Sequence, residues 1–192
     1  VPNWIAQILY RKEKYGELLS YAEPIISAPN GRKTDEICML AAEVLFFKDD
    51  FEKAATYYDR FKVLRRGSVD PQVTFRHGYS LYKTEQHKKA IAIFKTIAAR
   101  EDALGQQAAY YLGISALTTE DFSAAMAAFD FARKTDFDLE IKEEASYNYI
   151  KVQVEQGNSE SAIGSLKNYV TDYPDGKYID EANELMSEIL FE

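Results

Sequence analysis

"YYLGISALTTEDFSAAMAAF", residues Tyr110 to Phe129, reads as a helix, a short polar break and a second helix. The pattern recurs along the chain. Without gaps, Leu112–Phe129 aligns with "HGYSLYKTEQHKKAIAIF" (His77–Phe94) and with "AAEVLFFKDDFEKAATYY" (Ala41–Tyr58). A later copy is "YIKVQVEQGNSESAIGSL" (Tyr149–Leu166), and a weaker early one is "IAQILYRKEKYGELLSYA" (Ile5–Ala22). One column reads Leu18, Ala54, Ala90, Ala125, Ala162, at spacings of 36, 36, 35 and 37. Others read Ala6, Ala42, Gly78, Gly113, Ile150; then Tyr15, Phe51, His87, Phe122, Ser159; then Ala22, Tyr58, Phe94, Phe129, Leu166. Four columns at one steady period identify a repeat architecture.

Two helices approach closely only where side chains are small. Gly78 and Gly113 fall mid-helix, although glycine there costs about 1 kcal/mol relative to alanine. They are therefore expected to mark the point where each hairpin closes. The alanine column is expected to meet that gap, with the Phe and Tyr columns filling the space on either side.

Leu112-Gly113, Asp121-Phe122, Ala125 and Phe129 stand in the order of the tetratricopeptide-repeat signature, and the chain resembles that family over nearly its whole length. The family period is 34 residues; here it is slightly longer, and Pro174 is the only match to the signature proline. The resemblance implies an all-α fold, a right-handed superhelical α-solenoid of helix-turn-helix repeats. Residues 1–192 are expected to form a single solenoid with repeats over 1–30, 34–66, 70–100, 104–136 and 140–174, followed by a helix over 177–190. First helices are expected near 3–13, 34–48, 71–84, 104–118 and 140–156. Second helices are expected near 15–27, 51–64, 87–99, 122–134 and 159–172. Pro24 should kink or shorten its helix, since it removes a backbone donor. Asp175, in the turn "DYPDGK" (Asp172–Lys177), is a candidate N-cap.

The bulk composition narrows the function. The chain is 46% apolar and 28% charged, with a net charge of −8. That balance is globular, and it disfavours nucleic acid or an anionic membrane as partner, because both recruit basic surfaces. The longest apolar run, "ICMLAAEVLFF" (Ile37–Phe47), is too short to insert into a bilayer. The lone Cys38 precludes an internal disulfide. The chain opens at Val1-Pro2 without Met, so an upstream extension in a longer parent is expected.

No constellation for chemistry stands out, and an enzyme is not expected: no catalytic residue, metal site or cofactor is assigned. His77 and His87 occupy packing columns, and Cys38 lies on an apolar helix face. Asp136, Asp138 and Glu140 alternate without the glycine and distal glutamate of a calcium loop, and read as a solvated linker. Asp49-Asp50 reads as a polar turn and Glu143-Glu144 as a negative first helical turn. Lys62, Arg65 and Arg66 read as cations at a helix end.

In the family the first helix of each pair lines the inner, concave face. The resemblance places Met39, Phe75, Tyr110 and Tyr147 in one inner column, Glu43, Tyr79, Ile114 and Lys151 in the next, and Phe46, Tyr82, Leu117 and Val154 in a third. Phe75, Tyr79, Tyr82, Tyr110, Tyr147 and Lys151 are the candidate partner-binding residues. Packing of these rings against a neighbouring hairpin is the open alternative. Lys151 is the one inner cation, which argues against a clamp for a C-terminal carboxylate. The expected function is a non-catalytic scaffold that binds a peptide or protein segment, and the alternative is a spacer or assembly module of a longer repeat protein. "YPDGKYIDEA" (Tyr173–Ala182) resembles repeats of bacterial cell-envelope proteins, which implies a periplasmic or envelope location, with the cytoplasm as the alternative.

Overall fold

The computed structural model describes residues 2–28 and 34–191. Val1 and the first repeat's expected boundary at residue 30 lie outside them. Eleven α-helices account for the ordered elements among the described residues: α1 (Pro2–Arg11), α2 (Tyr15–Ser27), α3 (Asp35–Phe47), α4 (Phe51–Leu64), α5 (Pro71–Lys83), α6 (His87–Phe94), α7 (Ala103–Thr118), α8 (Phe122–Arg133), α9 (Leu139–Glu155), α10 (Ser159–Asp172) and α11 (Ile179–Phe191). The first ten pair into five hairpins.

The turn inside each hairpin follows one design. Glu13, Asp49, Glu85, Glu120 and Gly157 all have positive φ, between 56° and 71°, and they recur at the repeat period. In the α3–α4 hairpin, the Asp49 amide donates to the Phe46 carbonyl and the Asp50 amide to the Leu45 carbonyl. The same pair of bonds recurs in the other four: Glu13 to Tyr10 and Lys14 to Leu9, Glu85 to Tyr82 and Gln86 to Leu81, Glu120 to Leu117 and Asp121 to Ala116, Gly157 to Val154 and Asn158 to Gln153. This is the Schellman ending, in which one left-handed residue turns the last helical carbonyls onto the reversing chain. The residue that closes it also opens the next helix. Asp50 and Asp121 each accept an amide hydrogen three residues on, from Lys53 and Ala124, which satisfies a donor that the helix leaves open. Asp70, Asp102 and Asp138 cap α5, α7 and α9 in the same way.

Three of the four columns read from the sequence lie in the core; the Tyr15, Phe51, His87, Phe122, Ser159 column is half-buried to exposed. Leu18, Ala54, Ala90, Ala125 and Ala162 are all fully buried, and so are Ala22, Tyr58, Phe94, Phe129 and Leu166. Close packing at Gly113 is borne out, but its partner differs from the expectation. A Cβ placed there would lie 2.6 Å from the Phe129 ring, and its nearest neighbours are all atoms of that ring rather than of the alanine column.

Four expectations are corrected. Helix α6 ends at Phe94, short of residue 99; the chain then tightens into turns, with the Ile97 and Ala98 amides both donating to the Phe94 carbonyl. It must reverse by residue 100, because Asp102 binds the Arg100 guanidinium and caps α7, and a Cβ on Gly105 would lie 2.0 Å from the Arg100 carbonyl. Helix α2 continues through Pro24 to Ser27, so no early break occurs. Asp175 lies in a turn, since α11 opens only at Ile179. Glu143 and Glu144 lie beyond the first turn of α9, which begins at Leu139, and both bind other segments, as described below.

By internal packing the chain divides into two compact units, Val1–Ile93 and Phe94–Glu192. The first is built on Leu18, Ile37, Val44, Tyr58 and Leu81, and the second on Phe94, Phe129, Ile150, Val152 and Leu166. In the second, Gln106 is fully buried. Its amide nitrogen lies 2.9–3.0 Å from the carbonyls of Ala132, Thr135 and Asp138, and its oxygen accepts from the Asp138 amide at 2.8 Å. It ties the start of α7 to the α8–α9 linker.

Candidate protein-interaction surface

In the first unit, Phe75, Tyr79 and Tyr82 occupy successive turns of α5, and all three are half-buried. Phe75 stacks on Tyr79 with centroids 6.1 Å apart, and Tyr79 lies 5.9 Å from Tyr82. Tyr79 also meets Phe46 and Phe51 edge-on at 5.9 and 5.7 Å. Geometries of this kind are worth about 0.5–1.5 kcal/mol beyond burial. The rings thus form a continuous aromatic surface that is part packing and part solvent-facing.

Glu43, which the resemblance placed on the inner face, is only 5% exposed. Its carboxylate accepts from the Tyr58 hydroxyl at 2.6 Å and pairs with Arg76. Arg76 in turn lies 5.0 Å from the centre of the Phe47 ring. A buried carboxylate persists only when paired and hydrogen-bonded, and this one is. Burial, reinforced by the charge of Glu43, pushes the Tyr58 phenol well above its ordinary range, so it stays a donor.

In the second unit, Tyr110 sits on α7 against Phe129 and Tyr111, with Glu144 as its charged neighbour. Burial, then the neighbouring Glu144 carboxylate, raises its phenol. Tyr147 on α9 stacks flat on Tyr178, with centroids 4.5 Å apart and planes 5° from parallel. Lys151, one turn further along α9, is exposed, and with Tyr147 it lines a groove of about 370 Å³ shared with α11. The six candidates therefore fall into two groups, one in each unit.

The sequence did not single out what holds the α10–α11 segment in place. Glu143 accepts from the Tyr169 hydroxyl at 2.7 Å and from the Lys177 amide at 2.5 Å. The Lys177 ammonium lies 2.5 Å from Glu144. Burial works to raise the carboxyl of Glu144, but its bond to Lys177 and the neighbouring Tyr110 outweigh that, and it titrates below the usual range. A Cβ on Gly176 would lie 2.6 Å from the Glu143 carboxylate, so glycine lets the turn close on it. The adjacent acids in sequence were the only signal.

The remaining candidates take structural roles. His77 is buried and bonded to Asp59 at 2.9 Å, and Cys38 is fully buried. Asp138 caps α9 and Asp136 pairs with Lys142. Arg65 pairs with Asp35 at 3.3 Å. Among the described residues, no group of three or more His, Cys, Asp or Glu could hold a metal ion, and no helix is long and apolar enough to cross a membrane.

Comparison with known proteins agrees with this architecture. A search of the curated proteins gives no match. Among solved structures, YrrB, a tetratricopeptide-repeat protein with an unusual peptide-binding site, is similar at 17% identity over 93% of this chain and 88% of that one, with a TM-score of 0.72. A segment of MamA from Desulfovibrio magneticus RS-1 is similar at 20% identity over 92% and 95%, with a TM-score of 0.62. A double mutant of MamA from RS-1 gives 21% identity over 87% and 89%, with a TM-score of 0.61. At these identities the likeness speaks for the fold, an all-α array of the α-solenoid class. A tetratricopeptide-repeat family model matches residues 75–138 and 112–177; together these matches cover more than half of the chain. The chain belongs to the tetratricopeptide-repeat family.

Proposed function

We propose that the chain is a non-catalytic scaffold that takes a peptide or protein segment on the inner face of its first helices. Phe75, Tyr79 and Tyr82 contribute in the first unit, and Tyr110, Tyr147 and Lys151 in the second. The observation that carries this reading is the aromatic stripe on α5. Three rings on consecutive turns are held rigid by their neighbours yet keep part of their area in water. Large, amphipathic, pre-ordered rings bind at low entropic cost, and a first-helix face accepts a segment as a groove accepts a helix or strand. YrrB, similar in fold, carries a peptide-binding site, which supports the same use here.

Selection of a random linear-peptide library against the 192-residue chain tests the proposal. Enriched peptides should bind saturably, and Tyr79→Ala should weaken them about tenfold or more, as for an interface anchor, with circular dichroism unchanged. No enrichment, or binding indifferent to both Tyr79→Ala and Lys151→Glu, refutes it.

A second reading, an assembly module such as an envelope complex would use, is favoured by helix α1. Trp4 is 73% exposed there, with Ile5 and Ile8 beside it, and apolar groups so grouped mark contact surfaces. Light scattering of the chain and of Trp4→Ser tests it: association that the variant abolishes supports it, and a monomer at all concentrations counts against it.

A further inference from the structure

We propose that the groove lined by α9 and α11 selects a cationic amphipathic segment of a partner protein. The inference rests on the peptide-binding reading above and assigns the chemistry of its ligand in the second unit.

The groove holds about 370 Å³. Half-buried Tyr147, Val154 and Leu185 supply its apolar surface. Glu155, Glu181, Glu184 and Glu188 line it too, and all four are exposed. Lys151 is its one cation, so the groove sets four carboxylates against one ammonium. Helix α11 has no basic residue at all.

These four carboxylates differ from those at the other end of α9. Glu143 and Glu144 are bound by Tyr169 and Lys177. None of the four in the groove has an ion pair among the described residues. Glu181, Glu184 and Glu188 share one face of α11, where like charges three and four residues apart repel. A cation from outside relieves that repulsion. The charges also reach the aromatic surface: burial raises the Tyr147 phenol, and Glu181 and Glu184 add to it.

The arrangement matches a Lys or Arg side chain, whose apolar stem can lie on Tyr147 and Leu185 while its charge reaches the carboxylates. An acidic segment meets repulsion from four groups, and a neutral apolar one leaves them uncompensated. Charge complementarity of this kind governs specificity and encounter more than total affinity.

The test uses fluorescein-labelled synthetic peptides titrated with the full chain: alternating Lys and Leu, alternating Glu and Leu, and alternating Lys and Ser. The Lys/Leu peptide should bind saturably, weaken as salt rises, and lose about three- to tenfold in Glu184→Gln/Glu188→Gln, as the loss of two exposed pairs implies. The other two peptides should bind far more weakly. A control, Glu52→Gln/Glu160→Gln, makes the same change in net charge at exposed sites that do not line the groove and should leave binding unchanged. Equal loss in both double variants, no loss in the groove variant, or equal binding of the Glu/Leu peptide overturns the inference. Library peptides that bind through Lys151 but show no basic preference overturn it too and leave the broader reading standing. No binding of any peptide defeats both.

Discussion

The Phe129 ring lies directly on the backbone of Gly113, so close that a methyl group at residue 113 would sit 2.6 Å from the ring edge. Phe129 is fully buried, so the ring has no free space into which to retreat. Gly113→Ala would gain about 1 kcal/mol of helix propensity and lose about 1–3 kcal/mol to overpacking. The steric term is expected to win, lowering the midpoint of thermal unfolding by a few degrees, and Gly113→Leu should cost more. Recovery in Gly113→Ala/Phe129→Leu, relative to the two single changes, would confirm that the pair is coupled. Strict additivity would show that it is not.

The hairpin turns make a prediction of opposite sign. Glu120 holds a left-handed conformation at φ 59°, which costs an L-residue about 1–2 kcal/mol. Glycine escapes that cost but adds about 0.4–1 kcal/mol of freedom to the unfolded chain. Glu120→Gly should therefore stabilise by about 0.5–1 kcal/mol, and Gly157→Ala, at φ 71°, should destabilise by about 1 kcal/mol. Chemical denaturation of both variants checks the pair. A Glu120→Gly variant less stable than the parent would mean that the glutamate makes a contact worth more than the strain.

These two cases show where the sequence was legible. The repeat columns are packing constraints, and packing restricts residue type: Ala54, Ala90, Ala125 and Ala162 stand fully buried in one column. The fold, its ten paired helices and the core followed from that. The left-handed turns were hidden because four of the five use Glu or Asp instead of glycine, so backbone geometry left no mark on composition. Gln106, with its four polar contacts to the end of α8 and the α8–α9 linker, was invisible for a related reason: a satisfied buried amide looks like any surface glutamine in a string. At the candidate site, the rings of α5 could be assigned to one stripe by spacing alone. The fate of Glu43 could not. Its burial depends on Tyr58 and Arg76, fifteen and thirty-three residues away.

His77 predicts a pH dependence. The ring is 4% exposed, and burial lowers its pKa from 6.5, with Asp59 only partly opposing that shift. Asp59 is 43% exposed, so solvent screens its charge. The folded protein therefore holds a neutral imidazole, which donates its Nε2 hydrogen to Asp59. With the folded pKa below the unfolded one, the stabilisation is complete above 6.5 and is lost as pH falls toward the folded value, because the unfolded chain takes up the proton first. Stability measured by urea titration should fall as pH drops from about 7 to about 5, and His77→Gln should flatten that stretch of the profile. An unchanged slope in the variant would place the dependence elsewhere.

The segment between α10 and α11 should respond locally. Glu143 takes the Tyr169 hydroxyl and the Lys177 amide, Glu144 takes the Lys177 ammonium, and Tyr178 stacks on Tyr147. Tyr169 is only 2% exposed, so Glu143→Ala would leave its hydroxyl without an acceptor, at a cost of about 1–3 kcal/mol. Glu144→Gln removes an ion pair whose lysine is half exposed, and such pairs contribute little. Amide hydrogen exchange over residues 173–191 should therefore speed up strongly in Glu143→Ala and only weakly in Glu144→Gln, with α7 and α8 unaffected in either. The depressed carboxyl of Glu144 adds an acid dependence: its contribution is present above the unfolded carboxylate range and is lost as pH falls through the lower folded value. If Glu144→Gln loosened the segment as much as Glu143→Ala, the ion pair, and not the buried phenol's acceptor, would be the anchor.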